Sequence, residues 1–337
     1  MAANTGQTGP DDAWLATYTD AVIEPDLPII DTHHHLWFRN GYLYLLPELA
    51  ADIASGHNVV ATVYAECHSM YRVDGPIEER SLGETEFVAG IAAMSDSGTF
   101  GPSLACAAMF GNVDMTLGSA VEPLLEQHIA LSGGRFRGVR YSTGWDPAPE
   151  IHNVAPAANM LADPRVREAV AVLDRMGLSL DLWLYHPQLN EVTALAAAFP
   201  NLTIILNHVG SPILGGPYRD KLDEVRLDWA AAIRRVAECP NVFVKLGAVP
   251  MRRTGDKSIP PGSEEVAAAW RPYIEPCIEA FGAERSMFES NFPVQKRWTS
   301  YQVTWNAFKR IASGASDVEK SSLFADAAAA AYRMDVL

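Results

Sequence analysis

The sequence predicts an α/β protein of the (β/α)8 TIM-barrel class, and three observations lead there. Eight short apolar, β-branched runs alternate with Ala/Leu/Glu-rich stretches of helical period, the pattern of repeated βα units. A length of 337 residues is one that such a barrel fills as a single unit. No G-x-G-x-x-G follows the first run, which removes the main support for an open doubly wound sheet.

Residues 1–24 are polar and flecked with Gly, Pro and Asp, and read as an N-terminal arm; residues 25–337 read as one barrel domain. Strands are expected at Leu27–Asp31, Val59–Glu66, Leu104–Phe110, Phe136–Tyr141, Leu178–His186, Leu202–His208, Val242–Leu246 and Arg285–Asn291. Between them, Asp163-Pro164 offers an N-cap and a first-turn proline ahead of Val166, Val170 and Leu173 on one helical side. Leu189, Val192, Leu195, Ala196 and Phe199 keep helical spacing until Pro200-Asn201 stops the run. Ser316-Asp317-Val318-Glu319 forms a capping box for the Ala-rich terminal helix. The stretches Ser69–Thr85 and Pro250–Ser263 follow the second and seventh strands, so a barrel places them on its substrate-binding C-terminal face.

A net charge of −15 supplies no basic face for nucleic acid or an anionic membrane. A small molecule is the expected partner, and a homo-oligomer is compatible with the chain. No run reaches the roughly 18 apolar residues of a membrane span, and the N-terminus lacks a signal-peptide core. Cys67, Cys106, Cys239 and Cys277 are far apart with no C-x-x-C, which fits reduced thiols in a cytoplasmic protein.

Function is read from the strand ends. Asp31-Thr32-His33-His34-His35-Leu36-Trp37 follows the first apolar run, and period-two alternation points His33 and His35 the same way and His34 the other. Strand two ends in Glu66, with Cys67 and His68 beyond it. Strand four ends in Arg140 and Tyr141, strand five in Tyr185 and His186, strand six in Asn207 and His208. Strand seven carries Lys245, and strand eight Glu289 and Asn291. In a barrel these ends converge on one pocket.

Two chemistries suit that set. His33, His35 and His186 can supply three ligands to a divalent metal, zinc foremost, leaving His208 to hydrogen-bond substrate or move a proton. Without metal, the same imidazoles can donate to a carbonyl oxygen while another group activates water. Arg140 presents a planar fork suited to a carboxylate or lactone oxygen. Tyr141 and Tyr185, with Trp37, Tyr42, Tyr44, Tyr71, Trp145 and Trp183, suit a flat, partly apolar ligand. Arg72, Arg252 and Arg253 lie on the predicted rim loops.

Seven motifs in order carry a resemblance to a known family. They are D-T-H-H-H-L-W, G-E-T-E-F at Gly83–Phe87, R-F-R-G-V-R at Arg135–Arg140, W-L-Y-H-P-Q-L at Trp183–Leu189, N-H-V-G at Asn207–Gly210, V-K-L-G at Val244–Gly247 and M-F-E-S-N-F-P-V at Met287–Val294. Over Pro28–Tyr332 the chain resembles the amidohydrolase superfamily, in its group of TIM-barrel lactonases and decarboxylases. The resemblance implies a metal-dependent-hydrolase type of barrel and the opening of sugar-acid or ring-cleavage lactones, with metal in some members and not in others.

The chain departs from that pattern on strand eight. The family's water-activating aspartate falls at Asn291, an amide that cannot act as a base, and Asn207 and Gln295 also stand where carboxylates are frequent. Glu289, Glu66, His186 and His208 are the replacement bases to weigh. The expected activity is hydrolysis of a lactone or related cyclic ester, with His33 and His35 stabilising the oxyanion, directly or through an ion, and Arg140 and Glu66 near the substrate. A lyase or decarboxylase on the same barrel, and a binding barrel without catalysis, are the alternatives.

Overall fold

The computed structural model describes residues 9–249 and 258–336. Eight parallel strands form one sheet in chain order: β1 (Ile29–His34), β2 (Val59–Ala65), β3 (Leu104–Gly111), β4 (Phe136–Ser142), β5 (Ser179–Trp183), β6 (Ile204–Leu206), β7 (Val242–Leu246) and β8 (Ser286–Phe288). The sheet closes where chain beyond β8 returns to β1: Asn291 N–H donates to the His33 carbonyl at 2.8 Å, and His35 N–H to that of Phe292 at 2.7 Å. The predicted barrel is therefore present. Strands five, six and eight are shorter than the apolar runs suggested, because His186, His208 and Asn291 sit in turns past their ends. His208 and Asn291 have φ of +56° and +53°, outside the regular extended region of a strand.

Helices at Leu46–Ile53, Leu82–Asp96, Glu122–Leu131, Pro164–Arg175, Leu189–Ala198, Leu222–Ala237, Ser263–Phe281 and Tyr301–Ile311 follow the eight strands in turn. The sequence signals operate as expected. Asp163 accepts from Arg165 N–H at 2.8 Å with Pro164 opening the helix, and Val166, Val170 and Leu173 are buried. Ser316 and Glu319 exchange capping bonds. Between β1 and the first of these helices, Trp37–Arg39 and Tyr42–Tyr44 pair as a small antiparallel ribbon. In the arm, the Trp14 indole donates to the Ser258 carbonyl, and Asp20 accepts from Ser263 N–H.

A cluster separate from the helix layer joins Ile30, Ala61, Val63, Ala108, Ile205 and Met287 to the terminal Ala-rich helix. That helix brings Tyr332, fully buried, against Phe110. Its small alanines permit the close docking, and the polar interior lies beyond the Tyr332 ring.

Candidate active site

β1 does not keep a regular alternation. Its pairing with β2 slips between Asp31 and His34. Ile30 belongs to the interior cluster, so strict alternation would turn His33 toward the helices. The bulge reverses the parity, and His33 meets Glu289 and Lys245 inside the barrel. His34 is turned outward to the Thr62 hydroxyl at 2.8 Å. Asp31, first in the motif, accepts from Ser290 N–H at 2.9 Å and from the Ser290 and Tyr301 hydroxyls. Burial pushes its carboxyl up to about 6 against those bonds. It fixes the chain beyond β8 beside β1.

The deepest polar layer is Asp181 on β5, Lys245 on β7 and Asn207 after β6. Lys245 Nζ lies 2.9 Å from Asp181 Oδ1, which also accepts from Asn207 and the Tyr332 hydroxyl at 2.9 Å each. The ammonium sits 4.4 Å from the Phe110 ring centre, a favourable place for a desolvated cation. Burial nevertheless draws the Lys245 ammonium below its ordinary value, opposed by Asp181 and Glu289.

Glu289 lies above this layer with no exposure and bridges two imidazoles. Its Oε1 is 2.6 Å from His208 Nδ1, and its Oε2 is 3.2 Å from His33 Nδ1. A Cβ on Gly247 would come within 2.5 Å of the Glu289 Cγ and 2.4 Å of its carbonyl, so the glycine of V-K-L-G admits this carboxylate. Gly247→Ala is expected to cost about 1–3 kcal/mol by overpacking, read by urea unfolding, and to displace Glu289 from His208.

His35 Nδ1 faces the Ala65 carbonyl at 2.9 Å. A carbonyl only accepts, so that nitrogen carries the proton and Nε2 is bare. The bare Nε2 faces His33 Nε2 at 3.3 Å. Two states are consistent with this contact. If Lys245, 3.3 Å away, donates to His33 Nδ1, His33 Nε2–H donates to His35. If His33 Nδ1–H turns to Glu289 Oε2, which has no hydrogen bond of its own, both Nε2 atoms are bare and 3.3 Å apart, two donors available to one metal ion. Burial first, then Lys245, His208, His35 and Arg140, holds His33 well below the usual imidazole range. Burial and Arg140 do the same to His35. Neutral imidazoles are the ligand form. His33, His208 and Glu289 also offer donor atoms within 4.8 Å of one another, so the cluster fits a divalent cation.

Arg140 lies across the other side. Its Nε donates to Glu66 Oε1 at 2.8 Å and Nη2 to the Glu66 carbonyl, while Nη1 stands 3.4 Å from His33 Nε2. Burial lowers the guanidinium pKa, but Glu66 outweighs it and holds it above its ordinary value. Above these groups opens a cavity of about 1160 Å³, lined among others by Trp37, Tyr141, Trp183, Tyr185, His208 and Asn291.

The structure corrects several expectations. His186 does not join the cluster. It opens a helical turn with Pro187, its Nδ1 accepts from Ile213 N–H at 3.2 Å, its ring meets Tyr218, and burial pulls it down to about 4. Its place beside His33 is taken by His208. Glu289 is not a water-facing base, since imidazoles cover both oxygens. Glu66 is bound to Arg140 rather than held free for substrate. Tyr185 gives its hydroxyl hydrogen to the His152 carbonyl at 2.7 Å and offers only its ring. Burial pushes the Tyr141 hydroxyl up to about 12, so it faces the cavity as a neutral donor. Arg72 pairs with Glu86 outside the cavity, and Arg252 and Arg253 lie outside the described residues. Sequence reasoning missed Asp181; an acidic residue inside the apolar run S-L-D-L-W was its signal.

Fold and cluster define a barrel with a histidine-lined, carboxylate-backed site at the C-terminal strand ends. The chain belongs to the amidohydrolase family, whose model matches residues 30–334. It is 33% identical over 92% of its length to a protein of Sinorhizobium fredii (strain NBRC 101917 / NGR234) described as uncharacterized protein y4mH, covering 99% of that protein. An L-fucono-1,5-lactonase of Burkholderia multivorans (strain ATCC 17616 / 249) is 27% identical, with 90% of this chain and 96% of the lactonase covered. A Burkholderia multivorans amidohydrolase solved with bound zinc superposes with a TM-score of 0.68 at 22% identity, covering 91% of this chain and 99% of that one.

Proposed function

We propose that this protein is a hydrolase that opens a lactone or related cyclic ester of a small, partly apolar or carboxylated molecule. The observation that carries the reading is the His208–Glu289 pair. The carboxylate at 2.6 Å from Nδ1 keeps that nitrogen protonated and leaves Nε2 as the acceptor, on a residue that lines the cavity. This is the arrangement of an oriented general base. It also answers the loss of an acid at Asn291, because the base has moved from β8 to the imidazole after β6. The lactonase relative supports the choice of bond.

In this reading, His208 takes a proton from water as the oxygen attacks the lactone carbonyl. Arg140, beside the cavity and fixed by Glu66, faces the charge that develops on the carbonyl oxygen. Asn291 contributes a neutral amide that can orient water or substrate but not take its proton. The aromatic walls exclude bulk water from the ring. A divalent ion held by His33 and His35 would supply further polarisation of the carbonyl, and the zinc-bound neighbour supports zinc as the first candidate. Two fixed cations, Lys245 and Arg140, face the three carboxylates Asp181, Glu289 and Glu66, so a further positive charge is welcome there.

A panel of lactones with pure protein, followed in labelled water, tests the proposal. Ring opening with one solvent oxygen in the product is the expected result. Failure on the whole panel, with or without added zinc or manganese, sinks it, and release of carbon dioxide would mark lyase chemistry instead. Elemental analysis before and after chelation is expected to find zinc and to show activity falling with its removal. Asn291→Asp is expected to slow chelator-driven loss of that ion, because it adds a carboxylate at the cavity floor.

A further inference from the structure

Lactone opening needs a proton at two places: one leaves the attacking water, and one must reach the ring oxygen as its bond breaks. His208 serves the first. We propose that His68, after β2, serves the second as the general acid; the assignment rests on the hydrolase reading above.

The geometry of residues 66–69 points to it. Glu84, in G-E-T-E-F, is buried, and its Oε1 accepts from Cys67 N–H at 2.8 Å, from Ser69 N–H at 3.0 Å and from the Tyr64 hydroxyl at 2.8 Å. One carboxylate oxygen thus grips the residues on both sides of His68. Between them His68 adopts φ +59°, a left-handed conformation that costs a non-glycine residue about 1–2 kcal/mol. The helix carrying Glu84 can approach because Gly83 has no side chain. A Cβ there would stand 2.5 Å from the Met70 carbonyl oxygen and 2.6 Å from Arg72 N. The result is an imidazole whose side chain is 66% exposed, yet which lines the cavity.

Its backing is a looser counterpart of that of His208, a nearby carboxylate without a formed hydrogen bond. His68 Nδ1 lies 3.6 Å from Glu66 Oε2, a buried oxygen with no hydrogen bond. Glu66 Oε1 is occupied by Arg140. A single polar chain therefore runs His68–Glu66–Arg140–His33–Glu289–His208, with an imidazole at each end and a carboxylate behind each. The Tyr71 ring, 5.4 Å from that of His68, adds an apolar and cation-accepting face. An exposed imidazole on the cavity wall can turn toward a bound ring in a way that buried His33 cannot.

The steps balance. Water oxygen bonds to the carbonyl carbon as His208 Nε2 takes its proton. The tetrahedral intermediate collapses, and the bond from carbon to ring oxygen breaks with its electron pair left on that oxygen. His68 Nε2–H protonates it, giving the hydroxy acid. His208 then returns its proton to solvent, His68 recovers one from solvent, and no other reactant is needed.

Leaving-group dependence tests the assignment. δ-Valerolactone expels an alkoxide, whereas dihydrocoumarin expels a phenoxide that scarcely needs protonation. His68→Asn is expected to lose about 10²–10⁴-fold in kcat/KM on the alkyl lactone and to stay within about tenfold on the aryl one, with an unchanged melting temperature. Equal losses on both substrates, or none on either, would overturn the acid role while leaving the hydrolase reading intact. If the wild-type protein opens no lactone of the wider panel, with or without added zinc or manganese, that reading falls and the acid assignment falls with it.

Discussion

His208→Asn is expected to lower kcat for lactone opening by about 10²–10⁴-fold, the contribution typical of a positioned base, with KM nearly unchanged. The side chain lies at the cavity edge, and among the described residues its side-chain hydrogen-bond partner is Glu289, so its removal disturbs little else. Glu289→Gln is the sharper companion. It preserves size and burial, and its amide oxygen can still accept from the His208 backbone N–H and Nδ1–H as Oε1 does. The negative charge behind the imidazole is lost, however, and His208 becomes a weaker base toward the water it should deprotonate. A clear loss of kcat, smaller than that of His208→Asn, is expected from the weakened base rather than from an empty place. Steady-state kinetics on the best lactone decide this, and a Glu289→Gln protein with full activity would refute the oriented-base account.

The second large effect is on stability. Lys245→Met should destabilise the fold by about 3–5 kcal/mol, because it removes one partner of a fully buried ion pair. Asp181 would keep its bonds from Asn207 and Tyr332 and lose its only ammonium partner among the described residues. Lys245→Met with Asp181→Asn should recover part of the loss, since a neutral amide needs no countercharge. Urea unfolding of the two single variants and the double variant measures the coupling. Lys245 also depresses the protonation of His33, so its removal should make that imidazole easier to protonate. A single Lys245→Met variant as stable as wild type would show that the pair carries little of the interior's order.

The sequence was informative where one residue type recurs with a simple period. Valine and leucine at helical spacing in Pro164–Arg175 became the buried face of that helix. Asp163, Pro164, Ser316 and Glu319 took the capping places their chemistry requires. Strand ends were less legible. The apolar runs ending at His186, His208 and Asn291 read as continuing strands, but each chain turns before its polar residue, and hydrophobicity carries no signal for that turn. His186 shows the consequence: a histidine next to an expected strand end was ranked as a ligand, although Pro187 starts a helical turn that carries it to Tyr218 instead.

Sequence alone determined that this chain is a parallel barrel and that His33, His35 and His208 belong near its mouth, because alternation of βα units and polar strand ends are local properties. Only the tertiary structure decided what each group does. A bulge in β1 turned His33 inward, Gly247 let Glu289 reach two imidazoles, and Arg140 claimed Glu66. Glu84, from the helix that follows β2, twisted the backbone at His68 so that its ring joins the cavity. These outcomes depend on distances between elements far apart in the chain, and pairing between distant carboxylates and imidazoles leaves no periodic trace in the sequence.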